Sequence, residues 1–320
     1  RPRSRISVWL VSGRHKARMI AAPITGRTIR ARPQAHCYVC GAPGQTLYGH
    51  LCDRLYDAPG MWRLVKCTQS DCGLAWLDPM PFEEDIGHAY ASYFNWPYHL
   101  WTQLGCVYRL LLRPIGLYDL RQRANMMYLD HVKPGRLLDV GCGDGRWLAH
   151  MRAHGWHVEG QELDTKAADV ARARYGLPVR TGYLSELSLP EDTYDAIVLS
   201  HVIEHVHDPL AMLRECKRIL KPGGSLVAIT PNIDSYGQRR FGSNWVALDP
   251  PRHLLLFTLP SFQQVATQVG FARFAVWSTP VRAQFIATAS LDIQRTGRHK
   301  LEARYALTQL IKATLFEWQA

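Results

Sequence analysis

No acidic residue precedes Asp53, whereas the first 36 residues hold eight Arg and one Lys (Arg1, Arg3, Arg5, Arg14, Lys16, Arg18, Arg27, Arg30 and Arg32). The net charge of +11, from 38 Lys and Arg against 27 Asp and Glu in 320 residues, is therefore a local property. Beyond position 36 the count is 29 basic against 27 acidic residues. That near balance removes the case for a nucleic-acid partner that a uniformly basic chain would make. The leader also lacks any sustained period of 2 or 3.6, and it carries Pro2, Pro23 and Pro33. Residues 1–34 accordingly read as a basic, poorly ordered, solvated tail. An organelle transit peptide and a polyanion-binding arm are the alternatives, the first weakened by scarce serine (Ser4, Ser7, Ser12).

Long apolar runs are missing as well. Ile6 to Val11 is too short and too interrupted for a secretory signal, and the best membrane-span candidate, Leu100 to Leu117, is broken by Arg109, Arg113 and Pro114. A cytoplasmic location follows as the expectation. The broad apolar face beside Arg109 and Arg113 would suit a lipid-linked acceptor or peripheral contact with a membrane surface, or it docks on a neighbouring element. Disorder and a disulfide framework are both excluded as organising features. A chain of this length with 47% hydrophobic residues can bury roughly three quarters of its unfolded surface without staples.

Without a secretory signal, eight cysteines read as thiols or metal ligands. Cys37-Tyr-Val-Cys40-Gly41 and Cys67-Thr-Gln-Ser-Asp-Cys72-Gly73 form two close pairs, each followed by Gly. Short spacing turns two thiolates toward one ion, and Gly permits the tight turn. The 26 residues between the pairs imply a ribbon with a long hairpin. Cys37, Cys40, Cys67 and Cys72 are the expected ligands of a structural zinc, with Cys52, His36 and His50 as substitutes for one of them. Four protein ligands would close the site to chemistry. Buried reduced thiols are the plainer alternative, and Cys106, Cys142 and Cys216 read as small apolar residues.

From about Pro134, strand-like apolar runs alternate with helix-like segments, which predicts an α/β sheet. The run Arg136-Leu-Leu-Asp-Val-Gly141-Cys-Gly143-Asp-Gly145 is a strand and a Gly-rich turn, and a helix is expected from Arg146 to His154. A dinucleotide fingerprint would need Gly at 146, where Arg146 stands, so a nicotinamide oxidoreductase is disfavoured. LLDVGCGDG instead resembles the first motif of the class I S-adenosylmethionine-dependent methyltransferases. A second strand from Trp156 ends at Glu162, an acid placed to accept ribose hydroxyls as in other doubly wound folds. The order Asp195 to Ser200, SHVIEHVHDP, a helix from Leu210 to Leu220, LKPGG, and a strand from Ser225 to Thr230 resembles the same family. The likeness covers about residues 120–278.

That resemblance implies a Rossmann-like doubly wound sheet with a small zinc ribbon in front of it. It implies S-adenosylmethionine as cofactor, met by Asp139, Gly141, Cys142, Gly143, Glu162, Tyr183, Leu184 and Ser200. Many members carry an acid where Tyr183 stands, so adenine contact there would come from the backbone and from stacking. The cysteine pairs with Trp76-Leu-Asp-Pro-Met-Pro81 resemble a subgroup with a zinc-binding front end, to which sugar C-methyltransferases carry a related arrangement. The stretch Asn232 to Thr258 resembles a substrate-side insert of cell-envelope and secondary-metabolite members. The implied reaction is O- or C-methylation of a small-molecule, sugar or lipid-linked acceptor. A non-catalytic binding protein that keeps the cofactor fold and offers its zinc module to a partner is the competing reading.

Methyl transfer from a sulfonium needs alignment, exclusion of water and, for some acceptors, removal of a proton. Histidine suits the last task near neutral pH. His201, His205 and His253 are the candidate bases, His253 first because it lies in the insert. The ubiquinone-pathway O-methyltransferases carry a Glu-x-x-Glu-His run linked to a divalent metal; Glu204 and His205 match it, while His201 replaces its first Glu. The aromatic stretch Tyr90 to Tyr98 is expected as a lid or as core packing. The expected organisation is then a leader (1–34), a zinc-ribbon-like module (35–80), a helical and aromatic linker (81–133), the methyltransferase domain (134–280) and a C-terminal helical segment (281–320).

Overall fold

The computed structural model describes residues 5–11, 28–91, 117–281 and 283–299. Along the chain its strands are β1 (Arg5–Val11), β2 (Ala31–Arg32), β3 (Gly44–Leu51), β4 (Trp62–Cys67), β5 (Ala75–Leu77), β6 (Met80–Pro81) and β7 (Arg136–Val140). They continue with β8 (His157–Glu162), β9 (Val179–Thr181), β10 (Tyr194–Ser200), β11 (Leu220–Thr230), β12 (Leu255–Leu256) and β13 (Arg273–Thr279).

The apolar runs of β7, β10 and β11 are continuous rather than alternating because both of their faces are covered. Consecutive residues point to opposite sides. Ala196 and Val198 join one core layer with Leu137, Val227 and Ile229, while Ile197 and Leu199 join the other with Leu138, Val140, Leu226 and Ala228. Each fully buried Leu, Ile or Val here contributes about 1.5–3 kcal/mol. The helices that cover these layers carry local end signals. Asp208 accepts from the Ala211 amide at 2.7 Å to open Pro209–Ile219, and Gly176 closes Thr165–Tyr175 at φ +59°.

A seven-stranded parallel sheet results, in the order β13-β1-β11-β10-β7-β8-β9. The helix Arg146–Ala153 takes the chain from β7 to β8 on one flank, while β10 occupies the other. The order reverses between β7 and β10, which leaves a crevice beyond their carboxyl ends. The doubly wound expectation is met.

Two segments differ from expectation. Part of the leader, read as a tail without structure, is β1, paired in parallel with both β11 and β13. A seven-residue stretch is too short to show a period, and only the two ladders it completes give it a conformation. The second difference is at the carboxyl end of Pro209–Ile219, where β11 starts at Leu220 rather than Ser225. Tyr194 pairs with Leu220 and Ala196 with Ser225, so the Lys-Pro-Gly-Gly stretch is an irregularity inside the ladder, anchored by Lys221 Nζ at 2.9 Å from both Asp195 oxygens. The C-terminal segment contains a helix at Ala283–Thr296. The helical pattern read from 298 to 317, the Leu100–Leu117 run and most of the Tyr90–Tyr98 stretch lie outside the described residues. Among the described residues no helix is long and apolar enough to cross a membrane.

The cysteine-bearing front end is built into this body. Strands β3, β4 and β5 form an antiparallel sheet that β12, from the insert, completes as a fourth strand. One side chain fastens the junction. Arg252, fully buried, bonds both Asp53 oxygens at 2.7 and 2.9 Å, the Asp249 carboxylate and the Ala89 carbonyl at 3.0 Å, with its guanidinium 4.6 Å from the centre of the Tyr56 ring. Burial alone would disfavour its charge, but Asp249 and Asp53 raise its pKa well above the ordinary value. Removing one partner leaves a buried charge uncompensated. Asp53→Asn and Arg252→Met are each expected to lower unfolding free energy by about 3–5 kcal/mol, read from the urea midpoint at unchanged slope.

Candidate active site

At the carboxyl end of β7 the chain turns through Gly141, Gly143 and Gly145 at φ +71°, +58° and +72°, the left-handed region that a side chain disfavours. A Cβ at Gly141 would stand 2.6 Å from Val202 Cγ2, so this loop touches the turn after β10. The Gly143 amide donates to Glu162 Oε2 at 2.7 Å, and Glu162 Oε1 accepts from the Leu163 and Asp164 amides at 2.7 and 2.9 Å. The expected acid therefore sits at the end of β8 directly against the glycine loop. Gln161, which the sequence reading passed over, fastens the same corner: its Oε1 accepts from Gly141 N at 3.2 Å and its Nε2 donates to the Gly182 carbonyl at 2.6 Å. Its signal was a polar residue at a buried strand position, weak beside the neighbouring acid.

The other expected cofactor residues divide by exposure. Asp139 is buried within β7 below the loop, and Cys142 is buried with its sulfur against Gly160 of β8, which leaves the backbone of Cys142 as the part nearest the turn. Leu184 is buried, whereas Tyr183 and Leu163, at the ends of β9 and β8, are 44% and 53% exposed. Ser200 ends β10, half-buried. The sheet thus brings Gly141, Gly143, Glu162, Tyr183 and Ser200 to one edge. A bound S-adenosylmethionine fits this set. Its carboxylate would lie at the positive N-terminal end of Arg146–Ala153, and its nucleoside would meet Glu162 and the exposed apolar surface of Leu163 and Tyr183.

The turn after β10 gathers the histidines. His201 sits at φ +58°, its side chain 19% exposed, and its Nδ1 is 3.1 Å from Glu204 Oε1. Glu204 is fully buried, and its Oε2 bonds to none of the described residues. Burial pushes this carboxyl up, but the His201 hydrogen bond and the fields of His201, His205 and His253 outweigh it and hold the pKa at about 2. His205 Nδ1 lies 2.9 Å from both the Arg252 carbonyl and the Tyr90 hydroxyl. Burial and then His253 lower its pKa to about 4, against the opposing pull of Glu204 and Asp249, so it stays neutral near pH 7. His253 is buried, and its Nδ1 donates to the Ala247 carbonyl at 2.7 Å, which braces the insert. Donor atoms of Glu204, His205 and His253 lie within 4.8 Å of one another, close enough to share a cation, while His201 stands outside that group.

On the far side of β12, Cys37, Cys40, Cys67 and Cys72 bring their sulfurs within 4.8 Å of one another, with Cys37 to Cys72 at 3.6 Å and Cys40 to Cys67 at 3.4 Å. Gly41 and Gly73, each following a pair, have φ +73° and +64°, the role expected of them. Thiolates about 2.3 Å from a tetrahedral zinc lie about 3.8 Å apart, so the donor set fits zinc. Burial pushes the Cys37 thiol up to about 11 and the Cys72 thiol up further. The cluster is tied to the body by Thr258, which donates to the Cys72 carbonyl, and by Gln268, which donates to the Val39 carbonyl at 2.9 Å.

A family model described as a methyltransferase domain matches residues 116–275, half of the chain, and the chain belongs to that family. Its fold and glycine loop are those of the class I S-adenosylmethionine-dependent methyltransferases. Among similar proteins is a probable S-adenosylmethionine-dependent methyltransferase of Mycolicibacterium smegmatis, 38% identical over 35% of this chain and 44% of its own length. Another is a ubiquinone biosynthesis O-methyltransferase of Cereibacter sphaeroides, 35% identical over 35% of this chain and 48% of its own. The chain spans about half the length of the curated relatives it matches. Solved structures that align include a methyltransferase from Thermotoga maritima described as a possible histamine N-methyltransferase, 22% identical, covering 54% of this chain and 81% of that one, TM-score 0.40. One from Archaeoglobus fulgidus is 20% identical and covers 60% and 92%, TM-score 0.40.

Gly141→Val is expected to abolish binding of S-adenosylmethionine, because it adds a side chain in the left-handed region and drives it into Val202. Titration calorimetry with the wild-type chain alongside reads this directly, and unaltered affinity would place the cofactor elsewhere.

Proposed function

We propose that the chain transfers a methyl group from S-adenosylmethionine to oxygen or carbon of a small-molecule, sugar or lipid-linked acceptor. The observation that carries this reading is the meeting of the glycine loop, Glu162 and the histidine turn at the point where the strand order reverses. When bound, the cofactor supplies an electrophilic methyl on a sulfonium. The protein's part is then to hold donor and acceptor in line, keep water out and manage a proton. Asp139, Gly141, Cys142, Gly143, Glu162, Tyr183, Leu184 and Ser200 make up the proposed donor side. His201, His205 and His253 supply the acceptor side, where Tyr90 meets His205 at the start of the proposed aromatic lid.

The four cysteines are proposed to hold a structural zinc. With four protein ligands the ion has no open position, so it supports the fold and does no chemistry. Its support reaches the acceptor side because β5 pairs with β12, two residues from His253.

Incubation with methyl-labelled S-adenosylmethionine and a cell lysate, followed by separation of lipid, glycan, protein, nucleic-acid and small-molecule fractions, should place label in one of the first two or the last. Donor binding with no labelled product in any fraction would favour a binding protein, and tight NADH binding without donor binding would favour an oxidoreductase. Metal analysis should find about one zinc per chain and its loss in the Cys37→Ser/Cys40→Ser variant; unchanged zinc would remove these cysteines as ligands.

A further inference from the structure

Resting on the methyl-transfer reading and narrowing it to a hydroxyl acceptor, we propose that His201 is the base that takes the acceptor's proton. Glu204 is the buried positioning residue that fixes the tautomer of that imidazole.

Three histidines meet near the crevice, and their hydrogen bonds separate them. His205 and His253 give Nδ1–H to backbone carbonyls of Arg252 and Ala247, which orients the rings; Asp249, 3.9 Å from His253 Nε2, is beyond hydrogen-bond reach and already binds Arg252. His201 alone of the three gives Nδ1–H to a carboxylate, Glu204 Oε1 at 3.1 Å. That bond leaves the Nε2 lone pair of His201 as its basic site, and the carboxylate stabilises the imidazolium once a proton arrives. Glu204 is fully buried, so it can reach no acceptor itself. A fully buried carboxyl group with one oxygen bonded to none of the described residues is costly to keep, and orienting and balancing a neighbouring imidazole gives it a use.

Location agrees with the role. Val202, next to His201, lies against Gly141 of the glycine loop, and the Glu204 carbonyl accepts from the Leu254 amide of the insert at 2.8 Å. The turn from 201 to 205 therefore spans from the donor loop to the acceptor-side insert. His201 holds φ +58°, a conformation that glycine adopts without cost, so a bulky side chain is retained there against backbone preference.

In the proposed step His201 Nε2 accepts the hydroxyl proton as an oxygen lone pair forms the bond to the methyl carbon. The carbon–sulfur bond breaks with its electron pair going to sulfur, which ends as a neutral thioether. The proton then passes from the imidazolium to water, and the free base is restored.

The test uses the full chain labelled with nitrogen-15 in histidine. The His201 ring signals are assigned by their loss in His201→Gly, a change the left-handed backbone accommodates. Long-range proton–nitrogen spectra of the neutral ring should show the Nδ1–H form in the wild type and a shift toward Nε2–H in Glu204→Met, a reading that needs no acceptor. With methyl-labelled S-adenosylmethionine and the extract fraction the wild type labels, His201→Gly should lower the rate about 10²–10⁴-fold with partial rescue by added imidazole. Glu204→Met should slow the reaction at unchanged donor affinity. Persistence of Nδ1–H in Glu204→Met overturns the positioning role. So does a stoichiometric divalent cation that Glu204→Met loses, since the carboxylate would then be a ligand. An unaffected rate in His201→Gly, or label found only on nitrogen or carbon, overturns the base assignment. A wild type that binds no donor fails at the methyl-transfer reading itself, whatever the tautomer.

Discussion

A parallel sheet whose strand order reverses has one place where the loops on its carboxyl edge part company, and that constraint organises the rest of this protein. Because β8 and β10 flank β7 on opposite sides, the turns that follow β7 and β10 lead away from each other. No covering helix can close the gap between them. The glycine loop and the histidine turn both sit there, and they touch where Gly141 meets Val202. The glycines on one side take the left-handed region without cost and permit close approach, while His201 on the other holds it against backbone preference.

The second dependency is the insert, which must be held over that crevice from outside the sheet. Arg252 does this by desolvating a full charge among Asp53, Asp249 and the Ala89 carbonyl, groups from three separate stretches of chain. Such a network stabilises little over a hydrophobic equivalent, but each of its members is expensive to lose, so it specifies a single arrangement. Strand β12 adds a backbone ladder to β5, and the Thr258 and Gln268 side chains clasp the cysteine knuckles. The front end and the acceptor side are thus one mechanical unit, although about two hundred residues separate their ends in sequence.

Local rules made much of this readable. Turn glycines and continuous apolar runs located the central strands and helices to within a few residues, and the paired cysteines with their glycines foretold a four-sulfur cluster. Each of these signals acts over only a few positions, where chain geometry alone decides the outcome. What escaped was non-local. Strand β1 looked like a tail because a few residues have no readable period until two ladders flank them. Gln161 was overshadowed by Glu162. The partnership of Arg252 with Asp53 carries no sequence signal, since nothing near either residue indicates the other.

The histidines show the same division at the candidate site. Sequence alone assigned His201, His205 and His253 to strand ends or loops on the side expected to bind ligand, because two follow a strand end and one lies in the insert. It ranked His253 first on position. Only the tertiary structure decided how they differ: His253 is buried against the Ala247 carbonyl, His205 is shared between Tyr90 and Arg252, and His201 faces a buried carboxylate. An imidazole's chemistry depends on what its other nitrogen touches and how dry the surroundings are. Both are properties of packing across the fold, and a linear pattern of residues cannot contain them.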